Sequence, residues 1–137
     1  MVPITTITVA ILSVIFLKLS FGIIKIRKQN KILLGDGENE PLIRAISAQR
    51  NFCEHTPITL FLIICLELNG FYWFATAFLV AVFLIGRIFH IIGILSDEVK
   101  NNSIAKRVWG MTLTFLAMIF LIISNIGWLG YVFLVSS

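Results

Sequence analysis

The sequence predicts an all-α integral membrane protein built as a four-transmembrane-helix bundle. Of its 137 residues, 58% are hydrophobic and 13% are charged, and the mean hydropathy is +0.98. Soluble domains carry about 25% charged residues, so this chain lacks the polar surface that a soluble protein of its size needs. Each helical span takes about 20 residues. Four spans therefore fill most of the chain, and we expect one membrane domain over residues 1–137.

Span one is predicted over residues 4–24, because an apolar run of this length matches a full crossing. No basic residue precedes the run, so we interpret it as a retained helix rather than a cleaved signal. Lys18 interrupts the run, yet it is close enough to the end to extend its ammonium group to the interface. The connection over residues 25–41 holds a basic cluster followed by GDGENEP, which is typical of a turn.

Spans two and three are predicted over residues 42–68 and 71–95. Only Asn69 and Gly70 separate them, and so short a turn predicts that the two helices pack as an antiparallel hairpin. Glu67 lies one turn before the end of span two, so we expect its carboxylate to be solvated at the interface.

Span four is predicted over residues 108–134, after a polar connection over residues 96–107. Trp109 and Trp128 lie near its two ends, and Trp73 stands near the start of span three. Tryptophan is enriched at both membrane–water interfaces. These positions therefore support the predicted limits of the spans.

Basic residues predict the orientation of the spans. All eleven Lys and Arg residues lie between Lys18 and Arg107, beside the spans rather than in a separate basic domain. The net charge of +4 therefore gives no reason to expect nucleic-acid binding. Because loops rich in Lys and Arg stay on the cytoplasmic side, we expect the loops over residues 25–41 and 96–107 in the cytoplasm and both termini on the opposite side.

A group of polar residues stands at the cytoplasmic end of span two, where residues 44–57 are RAISAQRNFCEHTP. An ionisable residue costs about 2.5–3.5 kcal/mol at the centre of a helical span, so such residues face protein, water or a ligand rather than lipid. Steps of three and four place part of the group on one helix face. That face carries Arg44, Ser47, Asn51 and Glu54. The segment is therefore the default candidate for a functional site.

Span three carries a second polar group. Arg87 and His90 lie in its second half. His90 shares a helix face with Gly86 and Gly93, and Arg87 lies at the edge of that face. Because small residues let helices approach closely, we expect a tight helix contact here.

Two interpretations of these polar residues stay open at the level of sequence. In the first, they form a pocket between helices for an anionic polar ligand. Arg44 and Arg87 then face its carboxylates, together with basic residues of the loop, and Glu54 accepts an ammonium group. Hydrogen bonds come from three polar neighbours, Ser47, Gln49 and Asn51. In the second interpretation, Glu54 pairs with Arg50 or with Arg87 in an internal network that fixes helix packing or the contacts of a homo-oligomer.

Several other kinds of site are not expected. The two histidines, His55 and His90, lie on different spans without a close pair of further ligands, so the sequence predicts no metal site. It contains no Gly-rich phosphate loop and no Ser-His-Asp signature. A channel is also disfavoured, because the polar residues cluster at one end whereas a conduction path needs wettable positions through the whole depth.

Three stretches of the sequence resemble the MAPEG family, the membrane-associated proteins in eicosanoid and glutathione metabolism. The first is LIRAISAQRNFCEHTP, followed by an apolar run that ends in LELNG. The second, GDGENEPLIRA, is similar to the first loop of the small bacterial branch, and the third, GRIFHIIGILS, is similar to its third span. With the order and length of the spans, the resemblance covers nearly the whole chain.

The resemblance implies a four-helix protomer that assembles as a homotrimer in the lipid bilayer of a bacterial inner membrane. In the characterised transferases of this family, glutathione binds between neighbouring protomers near the cytoplasmic side. Arg87 matches the arginine of the third span, and Arg27 and Lys28 fall near the basic pair that ends the first span. By motif match, three residues fall at glutathione contacts: Gln49, Asn51 and Glu54.

The chain departs from the transferases at four positions. Ser47 stands where they carry a second arginine. His55 stands at the tyrosine that follows the motif glutamate. Two tyrosines of the third span are replaced by His90 and Ile94. The resemblance therefore extends further over the binding residues than over the catalytic ones.

The implied chemistry needs glutathione as a thiolate. The arginine that activates the thiol in the family lies beyond the third span, where Arg107 and Lys100 are the candidates in this chain. A nearby cation lowers the thiol pKa from its ordinary value of about 8.5. The thiolate would attack a lipophilic electrophile, or reduce a lipid hydroperoxide, that arrives from the bilayer. The alternative is a non-catalytic membrane binding or scaffold protein on the same fold, and the departures favour either this alternative or a thiol other than glutathione.

Overall fold

The computed structural model describes residues 1–97 and 103–136. In this part of the chain it holds four long helices and no strand, and each helix is long and apolar enough to cross a membrane. The predicted all-α fold with four spans is therefore confirmed. The helices are α1 (Pro3–Asn30), α2 (Glu40–Leu68), α3 (Trp73–Ile92), which continues into a π-helical turn (Gly93–Asp97), and α4 (Ala105–Ser136).

The helices extend beyond the apolar runs that predicted them. Helix α1 continues six residues past the predicted end of span one, to Asn30. Its last turn holds Arg27 and Lys28, whose positive charges interact favourably with the negative end of a helix dipole. Helix α2 begins at Glu40, where Asn39 Oδ1 accepts a hydrogen bond from the backbone at 3.0 Å and caps the helix. The length of an apolar run reflects the thickness of the membrane, whereas capping residues and charges determine where each helix begins and ends.

The α2–α3 hairpin forms where the sequence predicts it. Gly70 has a φ of +71°, a left-handed conformation that glycine adopts at no steric cost. The Phe71 amide donates to the Leu66 carbonyl at 3.0 Å and closes the turn. Trp128 of α4 donates its indole N–H to the Asn69 carbonyl at 2.8 Å, so the same turn also holds the end of α4.

Glu67 departs from its prediction. Its carboxylate is not simply solvated at the interface but accepts hydrogen bonds from the backbone amides of Ile4 and Thr5 at 2.9 and 2.6 Å. It also accepts one from Thr5 Oγ1 at 2.5 Å. These amides belong to the first turn of α1, which has no side-chain cap of its own. A carboxylate there satisfies free helix donors and the positive end of the dipole, so α2 caps α1 across the bundle.

Helices α3 and α4 make the closest contact in the described part of the bundle, and glycines permit it. A Cβ atom at Gly86 would lie 2.9 Å from the Gly110 carbonyl oxygen, and one at Gly93 would lie 2.6 Å from the Arg107 nitrogen. Both distances are too short for a side chain. The predicted tight contact at Gly86 and Gly93 is therefore confirmed, and its partner is α4 of the same chain.

The remaining packing joins α2 to both neighbours. Asn125 of α4 donates to the Leu62 carbonyl of α2 at 3.0 Å. The main apolar core lies at the same level of the bundle as the polar residues of α2 and buries residues from all four helices, among them Leu12, Leu19, Ala48, Phe52, Phe83 and Ala117.

Candidate functional site

Arg87 lies at the centre of the polar residues and is 1% exposed. Its Nε donates to Thr114 Oγ1 at 3.1 Å. Its Nη1 donates to Asn51 Oδ1 at 3.0 Å and to the Asn51 carbonyl at 3.3 Å. Its Nη2 lies 3.6 Å from the Met111 sulfur. We call Arg87, Asn51, Thr114 and Met111 the Arg87 cluster. It joins α2, α3 and α4 in the interior of the protomer.

The acceptors of the Arg87 cluster are themselves held in place. Thr114 donates its hydroxyl to the Gly110 carbonyl at 2.8 Å, which leaves the hydroxyl oxygen free to accept from Arg87. The Asn51 carbonyl also lies 2.9 Å from His55 Nδ1. A buried guanidinium needs such acceptors because an unpaired buried charge is costly. The hydrogen bond from Arg87 therefore fixes the orientation of the Asn51 side chain.

The outer face of α2 presents a different arrangement at the same depth. Arg50 Nε lies 3.9 Å from Glu54 Oε1, and the two side chains are 73% and 58% exposed. Apolar and thiol groups continue this face toward the C-terminal end of α2. We define the outer face of α2 as the exposed residues Arg50, Cys53, Glu54, Pro57, Ile58 and Phe61. Among the described residues, neither Arg50 nor Glu54 has a closer ionic partner.

The structure decides between the two pairings considered for Glu54. Glu54 meets Arg50 along its own helix, whereas Arg87 takes Asn51 and Thr114 as partners. The charged residues therefore do not form one internal network. They divide into a buried cluster and an exposed pair.

Other candidate residues of α2 turn toward different neighbours. Gln49 donates to Ser20 Oγ of α1 at 2.7 Å. Arg44 pairs with Glu40 at 2.8 Å on the exposed first turn of the same helix. His55 packs its ring against Phe115 of α4, with 5.5 Å between the ring centroids. The face predicted from spacing is therefore divided: Asn51 contacts Arg87 of α3, whereas Arg44 and Glu54 each pair within α2.

The candidates on the other helices lie in three places. His90 is buried at the α3–α4 contact. The two helices are so close there that a Cβ atom at Gly110 would clash with the His90 backbone nitrogen. Arg107 lies on the first turns of α4, against Gly93 of the π-helical turn. Arg27 and Lys28 line a groove at the end of α1. Lys100, the other candidate for thiol activation, lies outside the described residues.

The structure thus brings together Asn51, Arg87 and His55, and it leaves the remaining candidates on separate surfaces of one protomer. Sequence reasoning missed Thr114, Met111 and Ser20 as partners. One signal was present for Thr114, which stands one helical turn after Gly110, a small residue near the start of span four. Among residues 1–97 and 103–136, no group of three or more His, Cys, Asp or Glu side chains is placed to hold a metal ion.

An apolar groove of about 210 Å³ lies beside the outer face of α2, between α1 and α2. Pro57 lines it and has no N–H, so the helix cannot donate a hydrogen bond to the Cys53 carbonyl. Its other lining residues are mostly apolar and include Val9, Leu12, Phe16, Phe52 and Leu60.

Comparisons with known proteins agree with the sequence motifs. The sequence model described as the MAPEG family matches residues 5–127. The inner membrane protein YecN of Escherichia coli strain K12 is 30% identical over 118 residues, which cover 85% of this chain and 86% of that protein. YecN of Escherichia coli O6:H1 strain CFT073 gives the same values. No solved structure matches the chain significantly.

Proposed function

The chain belongs to the MAPEG family and is a multi-pass integral protein of the inner membrane, and from this premise we propose that it binds glutathione between the protomers of a homotrimer. The observation that carries the proposal is the outer face of α2. It holds an ion pair, Arg50 and Glu54, that is more than half exposed on each side in the single protomer. Charged groups at this depth need protein, water or a ligand around them. In a homotrimer, a second protomer would supply the surrounding protein, and a bound polar ligand would supply partners for the charges.

Within this proposal the residues of α2 have separate roles. Glu54 accepts the ammonium group of glutathione, and Asn51 donates its amide to a ligand carbonyl or carboxylate. Arg87 is a positioning residue, because its nitrogens already contact protein atoms. Carboxylates of the ligand meet cations at the cytoplasmic end, which come from Arg44 on α2 and from Arg27 and Lys28 on α1. Gln49, His55 and His90 support this frame from the adjoining helix contacts.

We further propose that a thiolate of glutathione reacts with a lipophilic substrate from the bilayer. A cation near the sulfur stabilises the thiolate, and Arg107 at the start of α4 is the candidate among the described residues. In transfer, the thiol first releases its proton to water, and the thiolate sulfur then forms a bond to an electrophilic carbon. In a substitution the bond from that carbon to the leaving group breaks, and the leaving group takes the electron pair; in an addition a π bond opens and the adduct takes up a proton. In peroxide reduction, two thiols become a disulfide while the hydroperoxide becomes an alcohol and water. The apolar groove between α1 and α2 suits the lipophilic reactant.

A second candidate function, binding of glutathione without catalysis, is favoured by two observations. Ser47 and His90 replace an arginine and a tyrosine of the transferases, and Arg87 is enclosed by the Arg87 cluster. Fewer cations and hydroxyl groups are therefore available to a thiol than in the transferases. Both candidate functions use the same binding site, and they differ only in whether the bound glutathione is held as a thiolate.

The experiment that tests this function is a glutathione titration of the purified protein in detergent. Calorimetry reports binding, the ultraviolet absorbance of the thiolate reports activation, and light scattering reports the mass of the protein part of the complex. We expect binding to an assembly of three protomers of 15.4 kDa each. Binding with thiolate at neutral pH supports the enzyme, and binding without thiolate supports the non-catalytic protein. Absence of binding contradicts the proposal.

A further inference from the structure

The end of α1 forms a second groove, and the proposed function, which assigns Arg27 and Lys28 to glutathione carboxylates, does not explain its apolar lining. It has a volume of about 540 Å³, and cations line one part of it while apolar side chains line the other. We propose that this groove, which we call the basic groove, binds the headgroup of an anionic phospholipid from the leaflet at the cytoplasmic end of the helices. Its lining residues are Ile24, Arg27, Lys28, Lys31, Ile32 and Leu33.

The chain reverses its direction at the end of α1, and this reversal builds the basic groove. Lys31 has a φ of +55°, a left-handed conformation that ends the helix. The Ile32 amide then donates to the Arg27 carbonyl at 3.0 Å. The residues after the helix therefore run back along its last turns. As a result Leu33 lines the same groove as Ile24, although nine positions separate them in sequence.

The loop beside the basic groove displays apolar side chains that no described residue covers. Leu33 and Leu34 are 97% and 90% exposed. Two adjacent leucines in water are unfavourable, and leucines next to cations are typical of segments that insert into the boundary between headgroups and acyl chains. Their position beside Lys28 and Lys31 therefore indicates contact with a lipid surface rather than with water alone.

The depth of the basic groove matches a lipid phosphate. Ile24 is the last residue of the apolar run of span one, and Lys28 follows it by four positions. At a rise of 1.5 Å per residue, Lys28 stands about 6 Å beyond the hydrocarbon edge. Headgroups occupy about 5–8 Å on each side of the hydrocarbon core. A phosphate would thus lie at the level of the cations, with the upper acyl chain against Ile24.

The acidic residues of the same loop do not cancel this positive charge. None of them lines the groove. Asp36 accepts a hydrogen bond from the Glu38 amide at 3.1 Å within the loop, and Glu40 pairs with Arg44 on α2. Complementary charge therefore favours an anionic headgroup over a zwitterionic one.

The basic groove shares Arg27 and Lys28 with the proposed glutathione site, so the test uses two other residues of the groove. Lys31 and Leu33 line the basic groove but have no role in the proposed glutathione site. We would prepare Lys31→Gln and Leu33→Ser and measure the retention of phosphatidylglycerol and phosphatidylcholine by the purified protein with native mass spectrometry. Lys25→Gln is the matched control, because it removes the same charge from an exposed position of α1 that does not line the groove.

We expect the unmodified protein to retain phosphatidylglycerol in preference to phosphatidylcholine. A Lys or Arg close to an anionic surface contributes enough to change affinity about fivefold, so Lys31→Gln should lower phosphatidylglycerol retention by about that factor. Leu33→Ser should lower it as well, and Lys25→Gln should leave it within about twofold. Glutathione binding should be unchanged in all three variants.

Three results would overturn the proposal. Equal loss in Lys25→Gln and Lys31→Gln would mean that the cations attract anionic lipid as a diffuse charge without a groove. Displacement of the lipid by inorganic phosphate at equal concentration would mean that a free anion, not a lipid, is the ligand. Loss of assembly in Leu33→Ser, with no change in lipid retention, would mean that a second protomer covers the leucines.

Discussion

The Arg87 cluster and the outer face of α2 hold charged residues at the same depth of the bundle. In the cluster the charge is buried and has partners inside the protein, whereas on the outer face the charges are exposed. Arg87 is 1% exposed, and its nitrogens contact three residues of α2 and α4. Arg50 is next to Asn51 in the sequence, yet its nearest acid is 3.9 Å away and both side chains are exposed. The first arrangement is complete within the protomer, and the second is not.

This difference distinguishes a residue that stabilises the fold, Arg87, from the residues that are assigned to the proposed site. A buried guanidinium with its acceptors fixes the relative positions of three helices, so Arg87 belongs to the folded protomer. The outer face of α2 holds an exposed ion pair, which the proposed function assigns to a glutathione site. Under the proposed function, the single chain folds by itself and the glutathione site requires a second protomer.

The largest effect is expected from Arg87→Ala. The substitution leaves a void and removes the donor from Asn51 and Thr114, so the free energy of unfolding should fall by about 2–4 kcal/mol. Unfolding in mixed micelles measures the change. Arg50→Ala, the matched control on the neighbouring exposed position, should alter it by less than about 1 kcal/mol. Equal losses in the two variants would remove the distinction between the two regions.

A loss of intermediate size is expected from Glu67→Gln. The amide keeps one acceptor oxygen but loses the charge that faces the first turn of α1, and it presents an N–H₂ group to backbone donors. We expect a loss of about 1–2 kcal/mol and faster hydrogen exchange at the Ile4 and Thr5 amides. Glu38→Gln in the α1–α2 loop is the control. Unchanged exchange at these amides would mean that the cap does not hold α1.

The smallest effect on stability is expected from Glu54→Gln. Exposed ion pairs contribute less than about 1 kcal/mol, so the protomer should unfold at nearly the same denaturant concentration as the unmodified protein. The variant should also assemble to the same mass by light scattering. A clear loss of assembly would return Glu54 to a structural role between protomers and would weaken its assignment as a ligand contact.

The sequence predicts local features of the fold well. Hydropathy identifies four spans, and the Asn69-Gly70 turn between two apolar runs predicts the hairpin that forms. Gly86 and Gly93 predict a close helix contact because spacing on one helix defines a face. Each of these features depends on neighbours within a few residues or on a single helix, so the sequence pattern contains it.

The partners of charged residues are predicted poorly, because they come from distant parts of the chain. Arg87 and Asn51 are 36 positions apart, and Thr5 and Glu67 are 62 positions apart. Arg87 could have paired with Glu54 by charge, but the structure gives it neutral acceptors, including a backbone carbonyl and a sulfur atom. Glu67 looks solvated by position, yet it meets the uncapped end of another helix. Helix packing decides such contacts, and spacing within one helix does not describe it.

The measurement that tests the central claim most directly is glutathione binding by calorimetry to the unmodified protein, Glu54→Gln and Glu38→Gln, each with its mass checked in the same detergent. We predict that the unmodified protein and Glu38→Gln bind alike, and that Glu54→Gln binds at least about tenfold more weakly, which corresponds to a lost charge-assisted contact of about 1.4 kcal/mol or more, while keeping its mass. Equal binding by Glu54→Gln, or no binding by the unmodified protein, would contradict the assignment of the outer face of α2 as a glutathione site.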